Sequence, residues 1–358
     1  MTRRGRRVGA MDEEMVDASP PPSGGEQVGS GAAGFEALQL PQPTQTVIVS
    51  PPGGPGDYSS LAEALAAHPS SCGTLRLVVH AGTYTEVGLE LHDNLQIVAA
   101  EGCVPGSDTA VVLTSRQDRP ILISSATGAV VRGLQIENRG PFGSMASILV
   151  EGGDVRFESC LITGSGCVGL LICGASTPTV VGCELVRCSG DGIKVVEMAA
   201  PNVSWCNINN NHGFGIFCSG ASTGVYRNNS ISCNSNAGVA CRGTCSARFE
   251  KNELFDGKQG GFWMEENSKC TVVGNDIYQN QKSGIQVGGR ADPLVRTNIV
   301  RDGLKGGIVV HDHAMGHFVQ NEIMRNTMAG PNRDSCSSFC HIHGLSPCVH
   351  ASCHCVLT

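Results

Sequence analysis

Acidic side chains of this chain recur 23 residues apart, a spacing that could bring carboxylates together for chemistry. Asp256 and Asp302 share one repeat position, with Gln279 between them. If each 23-residue unit adds one strand spacing, the two carboxylates would lie about 9–10 Å apart. Glycoside hydrolysis uses two carboxyl groups about 5–9.5 Å apart, and lyase chemistry uses an acidic Ca²⁺ site with a base. We therefore tested every such column as a candidate active site.

The other acidic candidates have weaker patterns. One outward column holds Glu184, Glu253, Asp276 and Glu322. Asn207, Ser230 and Ile299 interrupt that column, so a solvated face is its simplest interpretation. Asp191, in Gly190-Asp191-Gly192, is similar to a polygalacturonase motif, but Val168 and Phe214 are its stacked neighbours and it stands alone.

Histidine and cysteine clusters are the remaining candidates. His311, Asp312, His313 and His317 could form a metal or acid–base site, with a polar corner as the simpler interpretation. The C-terminal tail is rich in residues that can bind Zn²⁺: Cys336, Cys340, His341, His343, Cys348, His350, Cys353, His354 and Cys355. It has no paired C-x₂-C spacing, so an unstructured tail or a gene-model boundary is the alternative. The sequence predicts no catalytic residue, cofactor-binding residue, metal ligand or cofactor.

The elements that must position these residues follow a strict repeat. Glycine-apolar pairs recur every 23 residues: Gly169-Leu170, Gly192-Ile193, Gly215-Ile216, Gly238-Val239, Gly261-Phe262, Gly284-Ile285 and Gly307-Ile308. An apolar column keeps the same period: Phe157, Val180, Val203, Tyr226, Phe249, Val272, Val295 and Phe318. So does a small or polar column: Cys160, Cys183, Cys206, Asn229, Asn252, Asn275, Asn298 and Asn321. A fixed period of this kind predicts a solenoid.

The repeat length and residue types favour strands over helices. Apolar residues alternate with polar ones over short runs, which is typical of strands with one buried face. The common helical repeats need about 33 residues or more, and a leucine-rich repeat would need a leucine-dominated strand. We predict a parallel β-helix whose strands meet at Gly and Asn corners, because these residues tolerate positive φ. The asparagines of one column are expected to stack as a hydrogen-bonded ladder.

Composition and termini place limits on the function. The 358-residue chain has a net charge of −7, which argues against a nucleic-acid partner. We expect a disordered segment at 1–45, a β-helix at 46–330 and a Cys/His-rich irregular tail at 331–358. No secretory signal or membrane-spanning run is apparent, so the 18 cysteines are expected to be reduced, in the cytoplasm or nucleus. Arg3–Arg7 is at most a weak nuclear signal.

The N-terminal part of the solenoid is predicted to form a cap. Strands are expected at Thr46–Val49, Leu75–Val79 and Leu95–Val98, with a helix after Ser59 or Ser60. Gly56-Asp57-Tyr58, an alanine-rich helix and Gly82-Thr83-Tyr84-Thr85-Glu86 resemble the opening of pectin-lyase-like proteins. This resemblance implies a single-stranded right-handed parallel β-helix solenoid with 23-residue coils and an N-terminal helix cap.

The later repeats resemble the coils of F-box only protein 11 and its relatives. The similarity is carried by Asp302–His311, Gly316–Ile323 and the alternation of Pro293 with Gly316 before the strand. It implies a non-catalytic protein-recognition scaffold, linked to a Skp1–cullin–F-box ubiquitin ligase and binding ligase components or clients through a β-face. The first 45 residues are too polar to form an F-box. The alternative is a carbohydrate-binding or polysaccharide-cleaving β-helix of the pectin-lyase-like type.

Overall fold

The structure is a computed structural model that describes residues 40–69, 73–327, 340–342 and 354–356. The predicted disordered segment lies outside these residues up to position 39, and most of the 331–358 tail also lies outside them. Within the described part the chain winds as a parallel β-helix of about 11 turns, with about 23 residues per coil. Each regular coil contributes three short strands, one to each of three sheets.

Sheet 1 contains the strands that follow the repeat glycines. Its strands are Leu89–Leu91, Leu122–Ser124, Ala146–Val150, Val168–Ile172, Ile193–Val195, Ile216–Cys218, Val239–Cys241, Phe262–Met264, Ile285–Val287, Ile308–Val310 and Cys340–Ile342. Each strand pairs in parallel with the strand one coil away, as Ile193 does with Ile216. The glycine-apolar column is therefore confirmed as one continuous ladder.

Sheets 2 and 3 complete each coil. Sheet 2 contains Gln45–Val49, Leu75–Val79, Gln96–Ala99, Val130–Arg132, Arg156–Glu158, Thr179–Val181, Asn202–Ser204, Val225–Arg227, Arg248–Glu250, Thr271–Val273 and Leu294–Arg296. Sheet 3 contains Gly82–Thr85, Val111–Ser115, Gln135–Asn138, Leu161–Gly164, Glu184–Val186, Asn207–Asn209, Ser230–Ser232, Glu253–Phe255, Asp276–Tyr278 and Ile299–Arg301. The strand His317–Met324 runs through both sheets, and His354–Val356 pairs with it.

The core lies inside the coil, where alternate residues of all three sheets meet. The predicted apolar column of sheet 2 is buried throughout, with Tyr226 and Phe249 stacked at 4.7 Å between ring centroids. Ile136 pairs with Ile162, so the three-residue insertion predicted near Pro141–Ser144 is accommodated outside the sheets. Burial of this continuous apolar interior is the main driving force for stacking the coils.

The predicted asparagine ladder is confirmed. The Nδ2 of Asn229 donates to Oδ1 of Asn252 at 2.9 Å, and the Nδ2 of Asn252 donates to Oδ1 of Asn275 at 3.0 Å. A second ladder runs beside sheet 3, where the Nδ2 of Asn211 donates to Oδ1 of Asn234 at 3.0 Å. Because these amides satisfy one another and nearby main-chain groups, they can be buried without the usual cost of an unpaired polar group.

The corners differ from the prediction that Gly and Asn form them. Three corner columns have positive φ, and most of their residues are neither Gly nor Asn: Ser159, Arg187, Glu197, Trp205, Cys233, Lys251, Asp256, Glu266, Gln279, Thr297, Asp302, Asp312, Gln320 and Arg325. Main-chain hydrogen bonds to the next coil hold these residues in place, as when the N–H of Lys251 donates to the carbonyl of Val273 at 3.1 Å. Contacts between coils thus offset the local cost of the left-handed conformation.

The repeat glycines are needed for close approach. Gly192 and Gly215 do not have positive φ. A Cβ on Gly192 would lie 2.7 Å from Cγ2 of Ile208 and 2.8 Å from the carbonyl oxygen of Gly215. The glycine-apolar column is therefore maintained by packing against the next coil.

The N-terminal helix begins and ends at Leu61–Ala67. Ser60 is its N-cap and accepts a hydrogen bond from the N–H of Glu63 at 3.1 Å, as predicted. Leu61 and Ala64 are fully buried against the core. Among the described residues, no helix is long and apolar enough to cross a membrane.

Candidate functional site

The paired aspartates of the corner column are not a free carboxylate pair. Oδ1 and Oδ2 of Asp302 accept hydrogen bonds from Arg325 at 2.6 and 2.9 Å, and Arg301 lies 3.2 Å from Oδ2. The Arg325 guanidinium, with Arg301, holds the pKa of Asp302 below its usual value. Asp256, two coils away, is an exposed corner residue. This column is therefore a charged surface, and its one neutralised carboxylate is poorly suited to catalysis.

The outward acidic column is also largely neutralised where it meets sheet 3. Asp276 binds Arg301 at 2.7 Å, and the Arg301 guanidinium lies 4.3 Å from the ring centre of Tyr278. Tyr278 in turn stacks on Phe255 at 4.9 Å. Glu184 and Glu253 are exposed, and Glu322 is half-buried. The outer face of sheet 3 thus carries an ion-pair and ring stack whose flat surfaces face one another.

The histidine cluster is only partly assembled. Nδ1 of His311 lies 2.9 Å from Oδ2 of Asp312, and Nε2 of His311 lies 2.9 Å from Nε2 of Gln286. His313 and His317 are exposed and form no hydrogen bond with this pair. The structure therefore brings together His311 and Asp312 and leaves the other two histidines outside the pair. The predicted tail ligands lie outside the residues whose side chains the structure describes.

Asp191 lies at the edge of the outer face of sheet 1. Its Oδ1 accepts a hydrogen bond from the N–H of Phe214 at 2.8 Å. Burial raises the pKa of Asp191, while that hydrogen bond and the nearby Lys194 charge oppose the rise. Its column neighbours are Val168 and Phe214, as the spacing predicted, so no second carboxylate stacks on it. Asp191 consequently positions the chain beside Phe214.

An aromatic patch on the outer face of sheet 1 was not anticipated from the sequence. It consists of Phe214, Phe217 and Trp263, and is called the aromatic patch below. Phe214 stacks on Phe217 at 5.4 Å, and Phe214 lies 5.9 Å from Trp263 across an intervening coil. All three rings are half-buried. The patch therefore presents a preformed apolar surface that remains accessible to a ligand.

Small residues in the intervening coil make the aromatic patch possible. Ala237 and Ala240 occupy the repeat positions between Phe214 and Gly260 and between Phe217 and Trp263, and both alanines are buried. Larger side chains at these positions would separate the rings. The aromatic, small, aromatic order along two columns was the signal in the sequence that could have revealed the patch.

Two cations flank the aromatic patch. Nζ of Lys194 lies 5.8 Å from the ring centre of Phe217, and the Arg242 guanidinium lies 4.5 Å from the ring centre of Trp263. Arg242 also lies 3.5 Å from Glu265. Nε of Arg242 and Nε1 of Trp263 are buried donors without a hydrogen-bond partner. Two unsatisfied donors in contacting side chains are unusual, because buried polar groups are normally paired.

Comparison with known proteins identifies the family. The model of the right-handed β-helix region matches residues 106–226 and 198–344. The chain belongs to the right-handed β-helix family. This match confirms the handedness and the pectin-lyase-like fold that were expected from the sequence, and it does not test the relationship to F-box only protein 11, which stays a prediction.

Solved structures show the same β-helix fold at low sequence identity. The A-module of the Azotobacter vinelandii mannuronan C-5 epimerase AlgE4 is 12% identical, with a TM-score of 0.52, over 75% of this chain and 92% of that chain. A GH87 α-1,3-glucanase catalytic domain in complex with tetrasaccharides is 14% identical, with a TM-score of 0.53, over 83% and 68% of the two chains. Comparison with curated proteins gives no match.

Proposed function

We propose that this β-helix binds an acidic polysaccharide on the outer face of sheet 1, at the aromatic patch. The observation that carries the proposal is the placement of Lys194 and Arg242 over partly exposed rings on a rigid face. Sugar rings have apolar faces that pack on aromatic side chains, and uronate carboxylates pair with cations. The epimerase and the tetrasaccharide-bound glucanase support a carbohydrate ligand for this fold.

Arg242 would open the binding surface. In the free chain it lies over the indole of Trp263, and Nε1 of Trp263 has no partner. A carboxylate that draws Arg242 away from the ring would expose the indole face. The same movement would give Nε of Arg242 and Nε1 of Trp263 oxygen acceptors, which the free chain does not provide.

The proposal is for binding rather than cleavage. The carboxylates near the patch each lie beside a cation: Asp191 near Lys194, Glu265 near Arg242 and Asp312 beside His311. A pair of carboxyl groups for glycoside hydrolysis must instead face one bond from two sides. The arrangement therefore supports recognition of charge and ring shape.

Tryptophan fluorescence tests this function directly, because the chain has two tryptophans. In the full chain carrying Trp205→Phe, Trp263 is the sole tryptophan, and we expect mannuronan or polygalacturonate oligosaccharides to change its emission. We expect Lys194→Ala and Arg242→Ala to weaken binding about tenfold each, because a charge-assisted contact contributes about 1.5–3 kcal/mol. Binding should also weaken with added salt.

Matched variants distinguish the patch from the rest of the surface. Trp205 is 41% exposed and lies at a corner outside the patch. By calorimetry, Trp263→Ala should abolish binding, and Trp205→Ala should leave the Kd unchanged. Equal binding by the two variants would place the ligand elsewhere. Shortened oligosaccharides in the incubation would show that the chain cleaves its ligand.

Recognition of a protein is the second candidate function, and it would use the same surface. Trp and Arg dominate the binding energy of many protein interfaces, and Trp263 and Arg242 are in contact here. Retention of a discrete set of ubiquitin-ligase components or clients by the wild-type chain, with their loss in Trp263→Ala, would favour this candidate over carbohydrate. We place either activity in the cytoplasm or nucleus, because the 12 cysteines of the described residues are unpaired thiols.

A further inference from the structure

Four thiols converge inside the coil, on the inner side of sheet 1. Cys241, Cys245 and Cys270 have sulfur atoms within 4.8 Å of one another, and all three are buried. Sγ of Cys245 lies 3.8 Å from Sγ of Cys270. Cys218 pairs with Cys241 one coil earlier in sheet 1 and is also fully buried. We name these four residues the thiol cluster.

The geometry of the thiol cluster fits a tetrahedral metal. A Zn²⁺ ion bound to four thiolates at about 2.3 Å has neighbouring sulfurs about 3.8 Å apart. The distance between Cys245 and Cys270 already has this value, and it is far longer than a disulfide bond of about 2.05 Å. The remaining sulfurs need to move by about an ångström or less to reach the same spacing.

Unpartnered hydroxyls lie on both sides of the thiol cluster. Ser222 and Ser268 occupy the repeat position of Cys245 in the preceding and following coils. Both serines have no exposed surface, and their Oγ atoms have no hydrogen-bond partner. The hydroxyl of Tyr226 lies 3.3 Å from Sγ of Cys218. These hydroxyls can donate to thiolates, which are the charged acceptors that a bound cation would create.

We infer that the thiol cluster is a binding site for a soft, thiophilic cation, and specifically for structural Zn²⁺ enclosed in the β-helix. On binding, four Zn–S bonds replace Zn–water bonds, and each bound thiol releases its proton to solvent. No oxidation is involved. The ligands would be Cys218, Cys241, Cys245 and Cys270, and Ser222, Ser268 and Tyr226 would orient them.

Because the thiol cluster is fully buried, its loading must be coupled to folding. Zn²⁺ would enter while the coils around Cys241 and Cys270 are still open and would leave when they unfold. A chelator should therefore fail to remove this ion from the native chain and should remove it in denaturant. That behaviour distinguishes it from metal held by the Cys/His-rich tail, whose exposed ligands a chelator can reach in the native state.

The experiment uses the full chain, purified with a thiol reductant and refolded in excess Zn²⁺. After native treatment with EDTA, bound zinc is measured by elemental mass spectrometry. We expect about one Zn²⁺ per chain, released when guanidinium is added with EDTA. Refolding with Co²⁺ should give the sulfur-to-metal absorption and the intense visible bands of a tetrahedral thiolate site.

Repeat-guided variants keep the fold while removing ligands. Cys241→Val and Cys245→Ala introduce residues found at the same repeat positions in other coils, Val195 and Ala199. Cys206→Asn is the matched control, because Cys206 is a buried thiol outside the thiol cluster and Asn229 occupies its position in the next coil. We expect the control to retain the EDTA-resistant zinc and both ligand variants to lose at least 80% of it.

Two results would overturn the inference. One is less than about a fifth of an equivalent of EDTA-resistant zinc in the wild-type chain after refolding with Zn²⁺, which would make the thiol cluster ordinary core packing. The other is equal zinc retention by Cys241→Val and Cys206→Asn when circular dichroism shows that both variants are folded.

Discussion

At the scale of single residues, the polar groups inside the coil are the most informative. The side chain of Asn252 takes part in four hydrogen bonds, with Asn229, Tyr226 and Asn275. Its neighbours in the column do the same, so each amide is both supported by one coil and needed by the next. The buried ladder therefore specifies register, because a shifted coil would leave several donors unpaired.

Asn252→Ala should destabilise the chain by about 4 kcal/mol, since four hydrogen bonds at about 1 kcal/mol each are lost and buried donors remain unpaired. Urea unfolding monitored by circular dichroism measures the change. Asn202→Ala is the control, because Asn202 is an exposed strand residue, and it should change stability by less than about 0.5 kcal/mol. Similar losses in the two variants would show that the ladder adds no stability.

At the scale of elements, the strands and corners have different determinants. The strands follow from alternating apolar residues, but the corners adopt positive φ with residues such as Trp205 and Thr297. A β-branched residue is poorly suited to this conformation, so Thr297 depends on the hydrogen bond from its N–H to Val319 at 3.0 Å. Stacking of coils thus imposes the corner, and local preference opposes it.

Thr297→Gly should stabilise the chain by about 1 kcal/mol, because glycine adopts the left-handed conformation without strain. Gly182 and Gly274 already occupy this corner position in other coils. Thr271→Gly, in a strand, should destabilise by a similar amount. Thermal unfolding of the pair provides the comparison, and a loss of stability in Thr297→Gly would mean that the threonine side chain supports the corner.

At the scale of the whole β-helix, stability is expected to be a sum over coils and their contacts, as in other repeat proteins. Every regular coil pairs only with the coils before and after it, as Asp276 does with Glu253 and Ile299. A complete repeat could therefore be removed without loss of register. An incomplete one could not, because a slip of one residue sends core side chains to the outer face.

Deleting the 23 residues Asp276–Asn298 should leave a folded chain whose denaturant m-value falls by about a tenth, as expected for the loss of one coil in about 11. Deleting the 22 residues Asp276–Thr297 should abolish cooperative unfolding. Circular dichroism during urea titration separates the outcomes, and equal behaviour of the two deletions would contradict the strict repeat.

Much of the fold was predictable because it depends on spacing along the chain. The apolar columns, the asparagine ladder and the Ser60 cap follow from periodicity and local chemistry, and the structure confirms them. The aromatic patch was not predicted, because Phe214 and Trp263 meet only across a coil of alanines. Contacts across several coils depend on side-chain volume, which a column of residue types does not convey.

The sequence by itself determined the coil length, the stacking register and the inward columns, since these depend on a repeat that anything but a 23-residue step would break. Only the tertiary structure decided which residues from different columns meet. Cys245 and Cys270 lie 25 positions apart and off the common repeat, yet the coil cross-section brings their sulfurs to 3.8 Å. The pairing of Asp302 with Arg325 likewise removed a carboxylate that spacing alone had made a candidate. Periodicity specifies neighbours along a column, and the closed path of each coil specifies neighbours between columns.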